Sequence, residues 1–221
     1  MASLNIQQEY SKKIDVSIII VSYNTCSLLK DCLNSIIDTT RDVTYEIIVV
    51  DNASTDNSCG MVKSLFPEVI LLMNKSNTGF AKANNQATRL ANGDYIFLLN
   101  SDTVIRNNAI GILLSFMKKN PRIAVCGPLL LNSDGTVQKS IASFPTPLSI
   151  PLNIIFNSNV LRLGKSFQDK YSVNIFDYSK SGEIKKAWLT GAALMIRKAA
   201  FVNIGLFDEN LFIDIDTYIR T

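Results

Sequence analysis

Val16-Ser17-Ile18-Ile19-Ile20-Val21-Ser22-Tyr23-Asn24 opens as β-branched hydrocarbon and closes on three polar side chains. A short, continuous apolar run rich in Ile and Val suits a strand buried on both faces, as strands of parallel sheets are. The next stretch changes period. Across residues 25–37, Leu28, Leu29, Cys32, Leu33, Ile36 and Ile37 recur as a helical stripe. Residues 46–50 form a second β-branched run, which ends in Asp51-Asn52-Ala53-Ser54-Thr55-Asp56, a turn rich in helix-capping side chains. A helix to about Phe66 follows, stopped by Pro67, and residues 69–73 read as a third strand.

Asn77-Thr78-Gly79 then turns the chain into an Ala-rich helix over 80–91, which Asn92-Gly93 is expected to close in the left-handed conformation. Residues 95–99 read as a fourth strand that ends in Asn100-Ser101-Asp102, and a helix over 108–119 stops before Pro121. Strand–helix alternation at this spacing predicts an α/β fold: a mostly parallel sheet flanked by helices, with right-handed crossovers. The pattern ends near residue 125. Residues 126–221 read as a less regular half covering the sheet edge, with a Pro-, Ser- and Asn-rich stretch near 140–181 and an apolar segment at 188–196.

The composition excludes several chemistries. The chain has 221 residues and no histidine, which removes Ser-His-Asp and Cys-His catalysis and imidazole-based zinc sites. Cys26, Cys32, Cys59 and Cys126 form no CxxC pair and read as reduced cytosolic thiols. Residues 1–13 lack the apolar core of a secretory signal, and no apolar run approaches the roughly 20 residues of a membrane span. The net charge is +3 with the basic residues scattered, so no nucleic-acid partner is expected.

In an open parallel sheet, ligands bind beyond the carboxyl ends of the strands. Here those ends carry Ser22-Tyr23-Asn24, Asp51 and Asn100-Ser101-Asp102. Each has a plainer reading: Asp51 and Ser54 can cap the next helix, and Asn100 can be a turn residue. Three polar turns gathered on one rim favour a binding site. Neither GxGxxG after the first strand nor GxxxxGK[ST] is present, so the dinucleotide and P-loop modes are unsupported. A nucleotide can bind without them. Asp51 can accept from a base or ribose, and Asp102 can hold a hard divalent cation, Mg2+ or Mn2+, against two phosphates.

Residues 17–24, 48–56, 77–81 (Asn77-Thr78-Gly79-Phe80-Ala81) and 98–103 (Leu98-Leu99-Asn100-Ser101-Asp102-Thr103) resemble, in order, the signatures of family-2 glycosyltransferases with the GT-A fold. The likeness is to the rhamnosyltransferase-like branch that builds bacterial surface polysaccharides. Trp188-Leu189-Thr190-Gly191-Ala192-Ala193-Leu194-Met195-Ile196-Arg197 is similar to that branch's acceptor-side Gly-Ala segment, and Gly205-Leu206-Phe207-Asp208-Glu209 to its next landmark.

The resemblance implies a UDP- or dTDP-sugar donor gripped by Ser22, Tyr23, Asn24, Asp51, Asn77, Gly79, Lys82, Asn100 and Asp102. Asp51 would meet the nucleoside. Asn100 and Asp102 fill the DxD-like position, with Asp102 as the Mg2+ or Mn2+ ligand. Trp188, Gly191 and Ala192 would face a saccharide or lipid-linked acceptor. Inverting transfer needs a carboxylate base. The family's acidic pair follows the Phe207-Asp208-Glu209 landmark, which makes Asp214 the first candidate and Asp216 the second, in a segment shortened by a few residues.

The chain is expected to be one domain over 1–221, with a nucleotide-sugar half at 14–125 and an acceptor half at 126–221 that stops soon after the acidic cluster. It would sit in the cytoplasm, at the inner face of the membrane where the acceptor is lipid-linked. Two rival readings are a nucleotide-sugar-binding paralogue without transferase activity and a nucleotidyltransferase.

Overall fold

In a computed structural model, residues 13–138, 140–143 and 187–210 are described. Asp214, Asp216 and most of the stretch 140–181 lie outside them. Four strand–helix units open the chain: β1 (Val16–Ser22), α1 (Cys26–Thr39), β2 (Tyr45–Asp51), α2 (Ser58–Leu65), β3 (Ile70–Met73), α3 (Phe80–Leu90), β4 (Tyr95–Asn100) and α4 (Ala109–Lys119). Shorter elements follow: β5 (Val125–Cys126), β6 (Ile141–Ser143), β7 (Ala187–Leu189), β8 (Ala193–Arg197) and α5 (Lys198–Asn203).

The main sheet runs β3-β2-β1-β4-β8-β5. Strands β1 to β4 pair in parallel, while β8 pairs antiparallel with both β4 and β5. β6 and β7 form a separate antiparallel pair. The chain winds outward from β1 to β3 and then returns to the other side of β1 as β4. That reversal makes a topological switch point between β1 and β4, where open sheets leave a crevice.

The period-2 geometry of a strand divides β1 between two cores. Val16, Ile18 and Ile20 join Leu29, Cys32, Leu33 and Ile36 of α1 and Ile110, Leu114 and Met117 of α4. Ile19 joins Ile48, Val50, Ala83 and Ala87 of α3, and Phe201 of α5. Both faces of β1 are covered, so its sequence is continuously apolar rather than alternating. Ile18, Ile19 and Ile20 are fully buried, each contributing about 2 kcal/mol.

Two local expectations are corrected. The segment at 188–196 does not merely cover the sheet edge. Its 193–196 portion enters the sheet as β8, with Ala193 and Met195 in one core and Leu194 and Ile196 in the other. A strand covered on both faces must be apolar at every position, and Ala193-Leu194-Met195-Ile196 is.

Asn92-Gly93 is no left-handed cap. α3 leaves through Ala91 at φ −63°, ψ 135°, directly into extended backbone, and Gly93 is not among the glycines of positive φ. Gly93 answers a close approach instead. A Cβ there would lie 2.5 Å from the Ser17 nitrogen and 2.8 Å from the Val16 carbonyl carbon. The Gly93 N–H donates to Ser17 Oγ at 2.8 Å, and the Ser17 hydroxyl donates to Glu46 Oε1 at 2.5 Å. Burial pushes the Glu46 carboxyl upward, but donation by Ser17, Asn92 and Gly93 outweighs it and holds the group below its ordinary value. Gly93→Ala should therefore destabilise the fold by about 2 kcal/mol, since backbone rather than a flexible side chain blocks the methyl. A urea melt would show a lower midpoint at unchanged slope.

Candidate functional site

The parallel register sets Ser22 opposite Asp51 and Val21 opposite Asn100. The last residues of β1, β2 and β4 are thus neighbours, one strand spacing of about 4.8 Å apart. A chain of hydroxyls crosses the switch point. Ser22 Oγ and Thr25 Oγ1 are 2.9 Å apart, and Thr25 Oγ1 donates to Ser101 Oγ at 3.0 Å. Thr25 was not singled out from the sequence. Its position just before the first helix was the available signal, but Thr there suggests a cap, and it makes no side-chain cap bond.

Asn24 holds the loops together. It sits at φ 54°, its N–H donates to Ser54 Oγ at 2.9 Å, and its Oδ1 accepts from the Thr55 N–H at 2.7 Å. Beside it, Asp56 accepts from the N–H groups of Cys26 at 2.9 Å and Ser58 at 3.0 Å, one from the start of each of α1 and α2. Anionic oxygen at two helix starts is favourable. The Ser58 hydroxyl and these N–H groups hold the Asp56 carboxyl below its ordinary range. Tyr23, between Ser22 and Asn24, is 49% exposed.

Asp51 does not cap α2, which begins only at Ser58 behind Asn57; one of its oxygens closes the turn after β2 instead. Asp51 is 3% exposed. Its Oδ1 accepts from the Ser54 N–H at 2.9 Å, while its Oδ2 is buried and has no N–H or O–H donor among the described residues. Burial, then the Asp51 charge and a hydrogen bond to the Asp51 carboxylate, push the Cys59 thiol up, so it stays neutral as a weak S–H donor beside Asp51.

Next along, Asn52 is 2% exposed and ties β2 to the loop before α3. Its Nδ2 donates to Asn77 Oδ1 at 3.0 Å and to the Gly79 carbonyl at 3.3 Å. Its Oδ1 accepts from Asn74 Nδ2 at 2.9 Å and from the Thr78 N–H at 3.2 Å. Asn77 Oδ1 also accepts from the Gly79 N–H at 2.9 Å, and Gly79 at φ 80° starts α3. Lys82 is exposed on the first turn of α3.

After β4, the Thr103 N–H and hydroxyl both donate to the Asn100 carbonyl, at 3.2 and 2.7 Å. That tight turn leaves Asp102 exposed, with no hydrogen-bond or ion-pair partner among the described residues. The Asn100 N–H donates to the Ala192 carbonyl at 2.9 Å, which joins Gly191-Ala192 to the same strand end. Trp188, in β7, is registered against Ala142. The rim thus brings together Ser22, Asp51, Asn100 and Ala192, with Asn77 and Gly79 attached through Asn52. Asp214 and Asp216 lie outside the described residues.

No group of three or more Cys, Asp or Glu side chains that could enclose a metal occurs among the described residues. The Asp102 carboxylate and the Asn100 amide offer one or two hard oxygens. That is too few for an all-protein cage, and it suits a Mg2+ or Mn2+ that completes its shell with phosphate and water.

Comparison with known proteins bears on the family and the fold. The profile of glycosyl transferase family 2 matches residues 17–201. A poly(ribitol-phosphate) beta-glucosyltransferase of Bacillus spizizenii is 32% identical over 137 residues, 60% of this chain and 22% of its own length. An N-acetylglucosaminyl-diphospho-decaprenol L-rhamnosyltransferase of Mycobacterium tuberculosis is 27% identical over 177 residues, 75% of this chain and 56% of its own length. The chain therefore spans between about a fifth and just over half of these relatives. In structure, TarS of S. aureus in complex with UDP superposes with a TM-score of 0.59 at 18% identity, over 90% of this chain and 52% of that one. A Pyrobaculum calidifontis mannosyltransferase in complex with GDP-Man and Mn2+ gives 0.55 at 18% identity, over 91% and 49%. These likenesses establish a GT-A-type fold. Among the described residues, no helix is long and apolar enough to cross a membrane.

Proposed function

We propose that this chain, which belongs to glycosyl transferase family 2, moves a sugar from a nucleotide-diphospho-sugar, UDP- or dTDP-linked, to a saccharide or lipid-linked acceptor with inversion. The observation that carries the reading is Asp51 Oδ2, buried without an N–H or O–H donor among the described residues and with only the weak Cys59 thiol beside the carboxylate, at the rim where β1, β2 and β4 end. A buried carboxylate oxygen without a donor costs about 1–3 kcal/mol or more. An N–H or O–H of a nucleoside would relieve that cost.

In this reading Asp51 takes the nucleoside, with Ser22, Tyr23 and Asn24 beside it, and Asn77, Gly79 and Lys82 line the sugar-diphosphate side. Asp102, with Asn100, would hold the divalent cation. Such an ion, when bound, supplies positive charge against the diphosphate as it leaves. The acceptor comes to Trp188, Gly191 and Ala192. Its hydroxyl attacks the anomeric carbon from the face opposite the diphosphate, and its proton passes to Asp214, or to Asp216 as second candidate. Residues 14–125 act as the donor half and 126–221 as the acceptor half. The site of action is the cytoplasm, against the inner membrane face when the acceptor is lipid-linked.

Calorimetric titration with UDP, dTDP and GDP, each with Mn2+, tests the donor side. Asp51→Ala should weaken the preferred nucleotide by about tenfold or more, as loss of a hydrogen bond to a charged group implies. Equal affinity in the variant would reduce Asp51 to a turn cap, and a wild type that binds none of the three would remove the donor reading altogether.

A further inference from the structure

Asn85 lies in the middle of α3 and is 1% exposed. Asn is a poor helix former, and a buried amide is costly unless it is bonded. One turn away on its own face lie Ala81, Lys82, Thr88 and Arg89, while Ala83 and Ala87, which pack against the sheet, are on the far side of the helix, so packing against the sheet does not call for this amide. Its bonds do. Nδ2 donates to the Phe207 carbonyl at 3.0 Å, and Oδ1 accepts from the Phe207 N–H at 3.1 Å, so the side chain pairs with both polar atoms of one peptide residue. Nδ2 also donates to Glu209 Oε1 at 3.0 Å, and Arg89, one turn along α3, donates to the same oxygen at 2.8 Å. The Phe207 ring sits 4.8 Å from that of Phe201 and 6.1 Å from that of Phe80, the first residue of α3.

The clamped segment would not lie there unaided. The chain leaves α5 through Gly205 at φ 91° and Leu206 at φ 67°. A leucine in the left-handed region is strained and persists only where its surroundings fix it. We propose that Asn85 is a positioning residue: it fixes Phe207–Glu209 along α3, the helix that starts at Gly79 on the donor rim, and so fixes where the acidic chain beyond Glu209 begins. The proposal rests on the transferase reading above. Asn85 touches neither donor nor acceptor. It sets turnover and leaves nucleotide affinity alone.

The test uses Asn85→Leu, which keeps the size of the side chain and removes both the acceptor for the Phe207 N–H and the donor to the Phe207 carbonyl and Glu209. Three readouts are taken: hydrogen exchange at the Phe207 amide, affinity for UDP with Mn2+, and turnover of UDP-glucose. The expected result is faster exchange at Phe207 with β1–β4 unchanged, affinity within about twofold of wild type, and turnover lowered about tenfold or more. A displacement of about 1 Å is enough for such a loss. Unchanged exchange at Phe207 overturns the clamp whether or not the protein turns over any donor. Faster exchange with wild-type turnover, or affinity falling in step with turnover, overturns the positioning role. If wild type turns over no donor while Asn85→Leu still frees Phe207, the transferase reading fails and the positioning role falls with it, leaving only a structural clamp. Should Asn85→Leu not fold, Arg89→Ala removes the exposed contact to the same Glu209 oxygen and is judged by the same three readouts.

Discussion

Asp102→Ala is expected to abolish manganese-dependent binding of nucleoside diphosphate and to lower turnover by about a hundredfold or more. The size of the effect follows from the scarcity of ligands. Among the described residues no cluster of three carboxylate or thiolate side chains exists to share the load. Asp102 is exposed on a turn closed by Thr103, and its carboxylate has no partner there to lose. The substitution should therefore leave the melting temperature of the ligand-free protein within about a degree, because exposed positions away from structural contacts rarely matter to stability. Titration of UDP with and without Mn2+ checks it. Metal dependence that survives the substitution would place the cation elsewhere.

Asn52→Ala should have the largest effect on stability, about 3 kcal/mol in chemical denaturation. The side chain is 2% exposed and joins Asn77, Gly79, Asn74 and Thr78. Truncation leaves the Thr78 N–H without its acceptor and strips one donor from the Gly79 carbonyl. Buried polar groups abandoned in this way cost about 1–3 kcal/mol each, and groups in one network do not add simply. The loss should also loosen the Asn77–Gly79 turn, so donor affinity should fall with stability. Full stability in the variant would mean that water or neighbouring amides replace the network.

The core strands were legible because their burial on both faces leaves no polar position. Ile18-Ile19-Ile20 declares itself, and with the alternating helices it fixes a parallel sheet. The rim was legible as a set of polar strand ends, since the topology alone makes those ends neighbours. What could not be read is which atoms are already engaged. Asn24 looks like a ligand contact and is occupied by Ser54 and Thr55. Asn77 looks similar and serves Asn52 and Gly79. The bonds of Asn24 to Ser54 and Thr55, and of Asn77 to Asn52, join residues 25 to 31 positions apart, beyond the reach of any local pattern. Gly93 was misread for a related reason. A glycine after a helix suggests a left-handed cap, whereas here the constraint comes from the Val16–Ser17 backbone, on a strand far away in sequence. The placement of β8 is non-local too: its composition announces a buried strand, but nothing in it names β4 and β5 as neighbours.

That placement has a consequence for how the protein is born. When a ribosome has released β1 to β4, the flank of β4 that β8 will occupy still offers bare amide and carbonyl groups. Its partner is Ala193–Arg197, with Leu99 opposite Ala193 and Tyr95 opposite Arg197, so close to a hundred further residues must emerge before the flank is sealed. Closing so long a loop is slow, and an open β-edge invites pairing with other chains. During that interval the nascent polypeptide is most exposed to aggregation and most in need of a chaperone.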